Sequence, residues 1–251
     1  MTVTLLAHTP EPERLVVAAA LLCYQKGSAE EAWRRAGNDK LQARLFEELV
    51  RQGHGSTLEH PHFTFGIEGI SRACSHQLVR HRICSYNQQS QRYVDVGDPA
   101  YFVKPESLEG DSGRFEEVVA EAVGYYRDIV EQFRGEGRTA EQAQEDARYI
   151  LPNAAKTNLI WTTNLRNLLH VCHVRMCSRA QWEIRQMLHE CRRAMEAQCP
   201  LIARYMVVKC HPNAIGYCDE EFRSCGFRPR KEQVVPPDPD CPPGPGYGEV
   251  E

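Results

Sequence analysis

The 251-residue chain has no hydrophobic run long enough to cross a membrane as a helix. Its longest apolar stretch, Leu15 to Cys23, has nine residues, where a spanning helix needs roughly 20. A basic leader is also missing. Met1 to Pro10 contains neither lysine nor arginine, so no secretory signal is expected and a cytoplasmic location is. There is no excess of positive charge: the formal net charge is −4, which argues against a chain built to wrap nucleic acid or lie on anionic lipid. Lysine is scarce, 6 residues against 24 arginines. Arginine's planar fork suits phosphates and carboxylates, although codon usage accounts for the bias equally well. Glycine-rich phosphate loops are absent. No G-x-G-x-x-G follows a strand and no G-x-x-x-x-G-K-[ST] occurs, and G-x-S-x-G and H-E-x-x-H are missing too. A nucleotide or flavin bound here takes its positive charge from side chains. The eleven cysteines are an odd number, which does not complete a disulfide framework. In a reducing cytosol they are buried thiols or metal ligands.

What is present reads as a globular chain, 42% hydrophobic and 25% charged. TVTLL predicts a short first strand and Arg14–Tyr24 a helix. Leu41, Leu45 and Leu49 mark a second helix, with Gly53 as its stop. Phe63, Phe65 and Ile67 alternate with Thr64, Gly66 and Glu68, the period of a strand. Ser71–Arg82 reads as a helix and Arg92–Val96 as a strand. Helices then dominate. Phe115 to Phe133 carries a continuous apolar stripe, and Thr139 with Gln142 forms a capping box ahead of a helix that Pro152 ends or kinks. Asn164–Arg175 is helical. Ser178 with Gln181 caps a last helix striped by Ile184, Met187, Leu188, Cys191 and Met195. The expected class is α+β (mixed α/β): a small twisted sheet, several long helices and a helix-rich C-terminal half. The expected division is a catalytic unit over 1–205, a Cys-containing extension over 206–228, and a disordered tail over 229–251, where seven prolines and three glycines fall among 23 residues.

The densest polar segment is QLVRHRICSYNQQSQR, Gln77 to Arg92. No carboxylate appears until Asp95. Read as helix, it places Gln77, Arg80 and His81 on one face, with Arg82 pointing elsewhere. Arginines interleaved with amides and hydroxyls suit phosphates and a base edge better than a solvated charged face, which normally pairs its cations with acids. Arg80-His81-Arg82, seven residues, then Ser90 resembles the signature of flavin-dependent thymidylate synthases, and the longer form RHRICSYNQQSQRYV is similar to that family throughout. HGSTLEH (His54 to His60), RYILP (Arg148 to Pro152), Asn164-Leu165-Arg166 with His170 and Arg175, and AQWEIR (Ala180 to Arg185) resemble further family segments in the same order.

The resemblance implies reductive methylation of deoxyuridylate (dUMP). FAD is the cofactor, NADPH the reductant, methylenetetrahydrofolate the one-carbon donor, and the assembly a homotetramer with sites between subunits. It implies FAD contacts at Ser56, Arg80, His81, Arg82, Gln88, Asn164, Leu165, Arg166 and His170. For dUMP it implies Gln77, Leu78, Val79, Arg80, Gln88, Gln89, Ser90, Gln91, Arg92, Arg148 and Arg175, with Arg175 stabilising the deprotonated uracil. Some family members carry Glu where Gln88 stands, so a contact needing an acid there is in question. Ser90 has no His–Asp pair spaced to activate it, so a substrate contact suits it better than nucleophile. Cys84 reads as a buried thiol and His60, His62 and His173 as ordinary core or surface histidines. Neither membrane nor nucleic acid is an expected partner. A nucleic-acid-binding module with a zinc-holding end is the competing reading, disfavoured by the net charge of −4. Cys210, His211, Cys218 and Cys225 lack C-x₂-C spacing. They are free thiols, a redox disulfide or a zinc site, with no metal as the preferred reading.

Overall fold

The computed structural model describes residues 1–234. Four strands form one antiparallel sheet in the order β1-β2-β4-β3: β1 (Thr2–His8), β2 (His62–Ser71), β3 (Cys84–Gln88) and β4 (Lys156–Asn164). The helices are α1 (Pro12–Tyr24), α2 (Ala29–Ala36), α3 (Asp39–Arg51), α4 (Arg72–Leu78), α5 (Arg114–Gly135), α6 (Ala140–Ala147), α7 (Leu165–Arg175), α8 (Trp182–Glu196) and the short α9 (Pro200–Ala203). This is the mixed α+β class with a small sheet. Among the described residues no helix is long and apolar enough to cross a membrane.

Alternation in β2 puts Phe63, Phe65 and Ile67 wholly inside, where they meet Leu159 and Trp161 of β4. Phe65 and Trp161 stack with ring centroids 5.6 Å apart. Helices α1, α7 and α8 cover this inner face with Val16, Val17, Leu168, Ile184, Met187 and Leu188, all fully buried. The outer face is thinner. Thr64 and Thr162 share a hydroxyl hydrogen bond of 3.0 Å, and Leu6 and Ile160 stay about half exposed, at 54% and 47%. Such one-sided burial is ordinary for an antiparallel sheet.

Four local readings change. The helix expected over Ser71–Arg82 stops at Leu78, because the Tyr86 hydroxyl lies 2.8 Å from the Leu78 carbonyl and 3.0 Å from that of His81. Arg80 and His81 therefore sit in a turn and do not share a helix face with Gln77. The strand expected over Arg92–Val96 is a turn, with Tyr93 and Val94 both donating backbone N–H to the Ser90 carbonyl. The last long helix is capped by Gln181 alone, whose side chain accepts from the Ile184 N–H at 3.1 Å. Strands β3 and β4 and helix α2 are additional elements.

The junction of β2 and α4 positions everything that follows. Gly69, at φ +71°, makes the bulge between Ile67 and Ile70 that side chains rarely permit, and its N–H reaches Asn158 Oδ1 at 2.8 Å. Ser71 then caps α4 by accepting from the Cys74 N–H. Glu183 of α8, only 2% exposed, accepts from the Ser71 backbone N–H at 2.6 Å and the Ser71 hydroxyl at 2.5 Å. A buried carboxylate held by two donors locks α8 to the start of α4. Glu183→Ala removes both acceptors and strands two buried donors, so urea unfolding should show a loss of about 3 kcal/mol. A change under about 1 kcal/mol would show that the junction is held elsewhere.

Candidate active site

Two sets of cations form at the two ends of β3. Five residues at strand rise separate them by roughly 13 Å.

The first set gathers where the turn before β3 meets α7. Asn164 caps α7 by accepting from the Asn167 N–H at 2.9 Å, which fixes the helix that carries Arg166, His170 and Arg175. Arg175 Nε–H donates to His81 Nε2 at 3.1 Å, so the His81 proton resides on Nδ1. His170 lies edge-on to His81, centroids 6.0 Å apart. Burial, then the Arg175 charge, then His170 lower the His81 pKa to about 4, and the ring is neutral near pH 7. The Nη groups of Arg175, and the exposed guanidinia of Arg80 and Arg82, have no hydrogen-bond or ion-pair partner among the described residues. Arg166 is held differently. Its Nη1 pairs with Glu59 Oε1 at 2.6 Å, and its guanidinium presses against Gly55, where an added Cβ would meet Arg166 Nε at 2.8 Å. Ser56 follows directly and is exposed on the same rim.

The second set lies at the other end. Gln88 Nε2 donates to Ser75 Oγ at 2.9 Å and Thr157 Oγ1 at 3.2 Å, which leaves Oε1 as its acceptor. Gln89 Oε1 accepts from the Tyr101 hydroxyl and the Asn158 N–H. Ser90 Oγ accepts from the Arg92 N–H at 3.2 Å. Arg92 Nη2 is paired with both Glu141 and Glu145 of α6, at 2.6 and 3.0 Å. Arg148, in the turn after α6, donates Nε–H to the Glu145 carbonyl and has no carboxylate partner among the described residues. Gln91 is half-buried in the turn.

Two expected side chains do not face this surface. Leu78 and Leu165 are fully buried in the core, so only their backbone is available to a ligand. Val79 is 37% exposed and Gln77 half-buried at the end of α4. The motif reading missed Arg72, Tyr101, Gly55 and Glu59. Arg72, which lies eight residues before Arg80 with no acid between them, was the one with a signal in the chain.

The donor set fits a flavin dinucleotide. Unpaired guanidinia at Arg80 and Arg82 supply what a pyrophosphate needs, and the close approach of Gly55 to Arg166 forms a rim that any side chain at 55 would fill. The extension docks beside the same helix. Lys209 N–H donates to the His173 carbonyl, Arg179 pairs with Glu220, and Lys209 pairs with Asp219. The Cys210 thiol is raised by burial foremost and then by the neighbouring thiols of Cys218, Cys177 and Cys225. Among the described residues no group of three or more His, Cys, Asp or Glu side chains is placed to hold a metal ion. Pro229, where the expected tail begins, accepts from the Cys218 N–H at 2.8 Å, and residues 235–251 of that tail lie outside the described residues.

The neutral state of His81 sets a pH dependence. Its folded pKa, about 4, is below the 6.5 of an ordinary histidine. The unfolded chain therefore binds this proton first, and His81 makes stability fall as pH drops from about 6.5 to about 4. In ¹³C-histidine NMR the His81 ring should titrate near 4, and Arg175→Ala should move that midpoint upward, short of 6.5 because burial is the larger cause. A His81 midpoint at 6.5 in the wild type would refute the contact.

The family described as thymidylate synthase complementing protein matches residues 4–201. A flavin-dependent thymidylate synthase of Nitratidesulfovibrio vulgaris is 41% identical over 244 residues, covering 92% of this chain and 97% of that protein. One of Geobacter sulfurreducens is 44% identical over 230 residues, with 90% and 94% covered. The crystal structure of the flavin-dependent thymidylate synthase of Helicobacter pylori, complexed with FAD and dUMP, shares the fold. Its TM-score is 0.64 at 21% identity, covering 82% of this chain and all of that one.

Proposed function

The chain belongs to the flavin-dependent thymidylate synthase family, and on that basis and the site's geometry we propose that it converts dUMP to dTMP by reductive methylation. FAD is the bound cofactor, NADPH the reductant and 5,10-methylenetetrahydrofolate the one-carbon donor. The observation that carries the reading is the Arg175–His81 contact, which joins the arginine-rich turn to α7 and points an uncompensated guanidinium outward.

FAD, when bound, supplies the redox chemistry. The protein's own part is binding and electrostatics. Arg80 and Arg82 neutralise phosphate charge from the turn, and Ser56, Asn164, Arg166 and His170 line the adjoining rim. Arg166 arrives already braced by Glu59, so little side-chain freedom is lost when a ligand binds beside it. Arg175 stabilises negative charge on the uracil ring, which makes the anionic base more accessible. His81 helps by remaining neutral: its Nε2 lone pair orients Arg175 Nε–H without cancelling the guanidinium charge, whereas a carboxylate in that place would. Ser90 and its neighbours hold the substrate, with no enzyme nucleophile required.

We read the active enzyme as a homotetramer with sites shared between chains. Two observations support this. The cations at the ends of β3 include exposed guanidinia without acids, and Ile83, beside Arg82 just ahead of β3, is 74% exposed. The outer sheet face also presents Leu6 and Ile160. A cytosolic setting agrees with the ten cysteines of the described residues, all of them free thiols.

Purified protein should bind FAD and absorb near 450 nm, roughly the isoalloxazine band. It should release tritium from 5-tritiated dUMP when methylenetetrahydrofolate and NADPH are added. Arg175→Ala should lower turnover by about 100-fold or more with FAD retained, the size expected for losing one preorganised charge donor. Arg166→Ala should weaken flavin retention first. Intact methylation by Arg175→Ala, or protein that never takes up FAD, would contradict this function.

A further inference from the structure

The chain beyond α9 folds back against the end of α7 and brings four cysteines into one neighbourhood. Lys209 N–H donates to the His173 carbonyl at 3.3 Å, the Lys209 ammonium pairs with Asp219, and Arg179 pairs with Glu220. Cys210 and Cys218 each adjoin a member of the Lys209–Asp219 pair, and Cys177 lies two residues past Arg175. The thiols that face Cys210 are those of Cys218, Cys177 and Cys225. None of the four is in a disulfide.

Cys225 is unlike the others. Gly226, at φ +78°, turns the chain sharply just after it, and the Gly226 N–H reaches Ser224 Oγ at 3.2 Å. That turn leaves Cys225 exposed. Its sulfur accepts from the Ser178 hydroxyl and the Phe227 N–H, and these bonds hold the thiol below its ordinary range. Ser178 directly follows Cys177, so one hydrogen bond sets an exposed thiol beside a half-buried one. Cys218 is a poorer partner. It is buried, bridged to Arg230, and its N–H is held by the Pro229 carbonyl at 2.8 Å. A cysteine that serves only as a small apolar group needs neither exposure nor donors aimed at its sulfur. An accessible, stabilised thiolate next to a second thiol is the arrangement that oxidises reversibly.

We propose that Cys225 is a site of reversible oxidation by hydroperoxides, with Cys177 as the resolving thiol. The Cys225 thiolate attacks the O–O bond, an S–O bond forms, and the other oxygen leaves as hydroxide and takes up the proton that Cys225 released. The Cys177 thiol then attacks the same sulfur. An S–S bond forms, the S–O bond breaks, and the oxygen leaves as water with the Cys177 proton. Two thiols are oxidised to one disulfide and one peroxide is reduced by two electrons. The disulfide ties the extension covalently to the end of α7, and a dithiol reverses it.

The test uses FAD-loaded full-length protein, reduced with a dithiol and desalted, with equimolar hydrogen peroxide as the probe. Peroxide should remove two titratable thiols per chain, lower the mass by about 2 Da and link the Cys177 and Cys225 peptides, all reversed by the dithiol. Cys225→Ser should abolish the thiol loss. Cys177→Ser should leave a sulfenic acid on Cys225 that dimedone labels. Ser178→Ala, which removes a donor to the thiolate, should slow the oxidation roughly threefold or more. A Cys225 that reacts no faster than Cys23, the other exposed thiol of the described residues, would overturn the inference. Linkage of Cys225 to any other cysteine would overturn it, and so would stoichiometric zinc held by these thiols in the purified protein. Should Cys177→Ser fail to fold, the wild-type peptide map decides.

Discussion

Positive charge left without carboxylates is the constraint on which the rest of the molecule depends. Several arginines of the helices find acids on neighbouring turns, as Arg14 does with Glu11 and Arg193 with Glu190. Arg80, Arg82, Arg148, Arg175 and Arg72 do not. A fold can hold like charges close together only if the backbone beneath them is stiff. Here that backbone is a four-stranded sheet whose inner face is filled by aromatic and aliphatic side chains. The buried Glu183–Ser71 joint fixes α4 at one margin of the site, and the Asn164 cap fixes α7 at the other. The neutral His81 ties the two margins together without cancelling their charge.

The thiols show the opposite design. Cys172 is pushed up to about 12 by burial, and Cys74 and Cys191 are raised for the same reason. They act as small apolar groups and have no place in the chemistry. Cys225 differs, being exposed and lowered by a hydrogen bond from Ser178. The extension that carries it holds the end of α7 through the Lys209 N–H and the His173 carbonyl, just beyond the matched stretch of the chain.

Much of this was legible in the chain itself. The capping box at Thr139–Gln142 placed α6, the helical reading of Asn164–Arg175 agrees with α7, and the alternation of Phe63, Phe65 and Ile67 placed β2. The motif order gave the family. What escaped has physical causes. In β4 the inward positions are Thr157, Leu159, Trp161 and Thr163, and two buried threonines dilute the apolar signal of an alternating strand. Helix α2 buries little beyond Ala32 and Ala36, so it lacks a stripe, although Ser28 with Glu31 makes a readable capping box. The turn at Arg80–Arg82 depends on Tyr86 reaching back eight residues to Leu78, a contact that periodicity does not register.

The structure of the assembled protein with FAD and dUMP bound tests the central claim most directly. The account predicts the Arg175 guanidinium against the pyrimidine ring with His81 still on its Nε, Arg80 and Arg82 on the cofactor's phosphates, and Arg148 at the nucleotide. Finding these guanidinia turned to solvent, or newly paired with carboxylates while both ligands bind elsewhere, would contradict it.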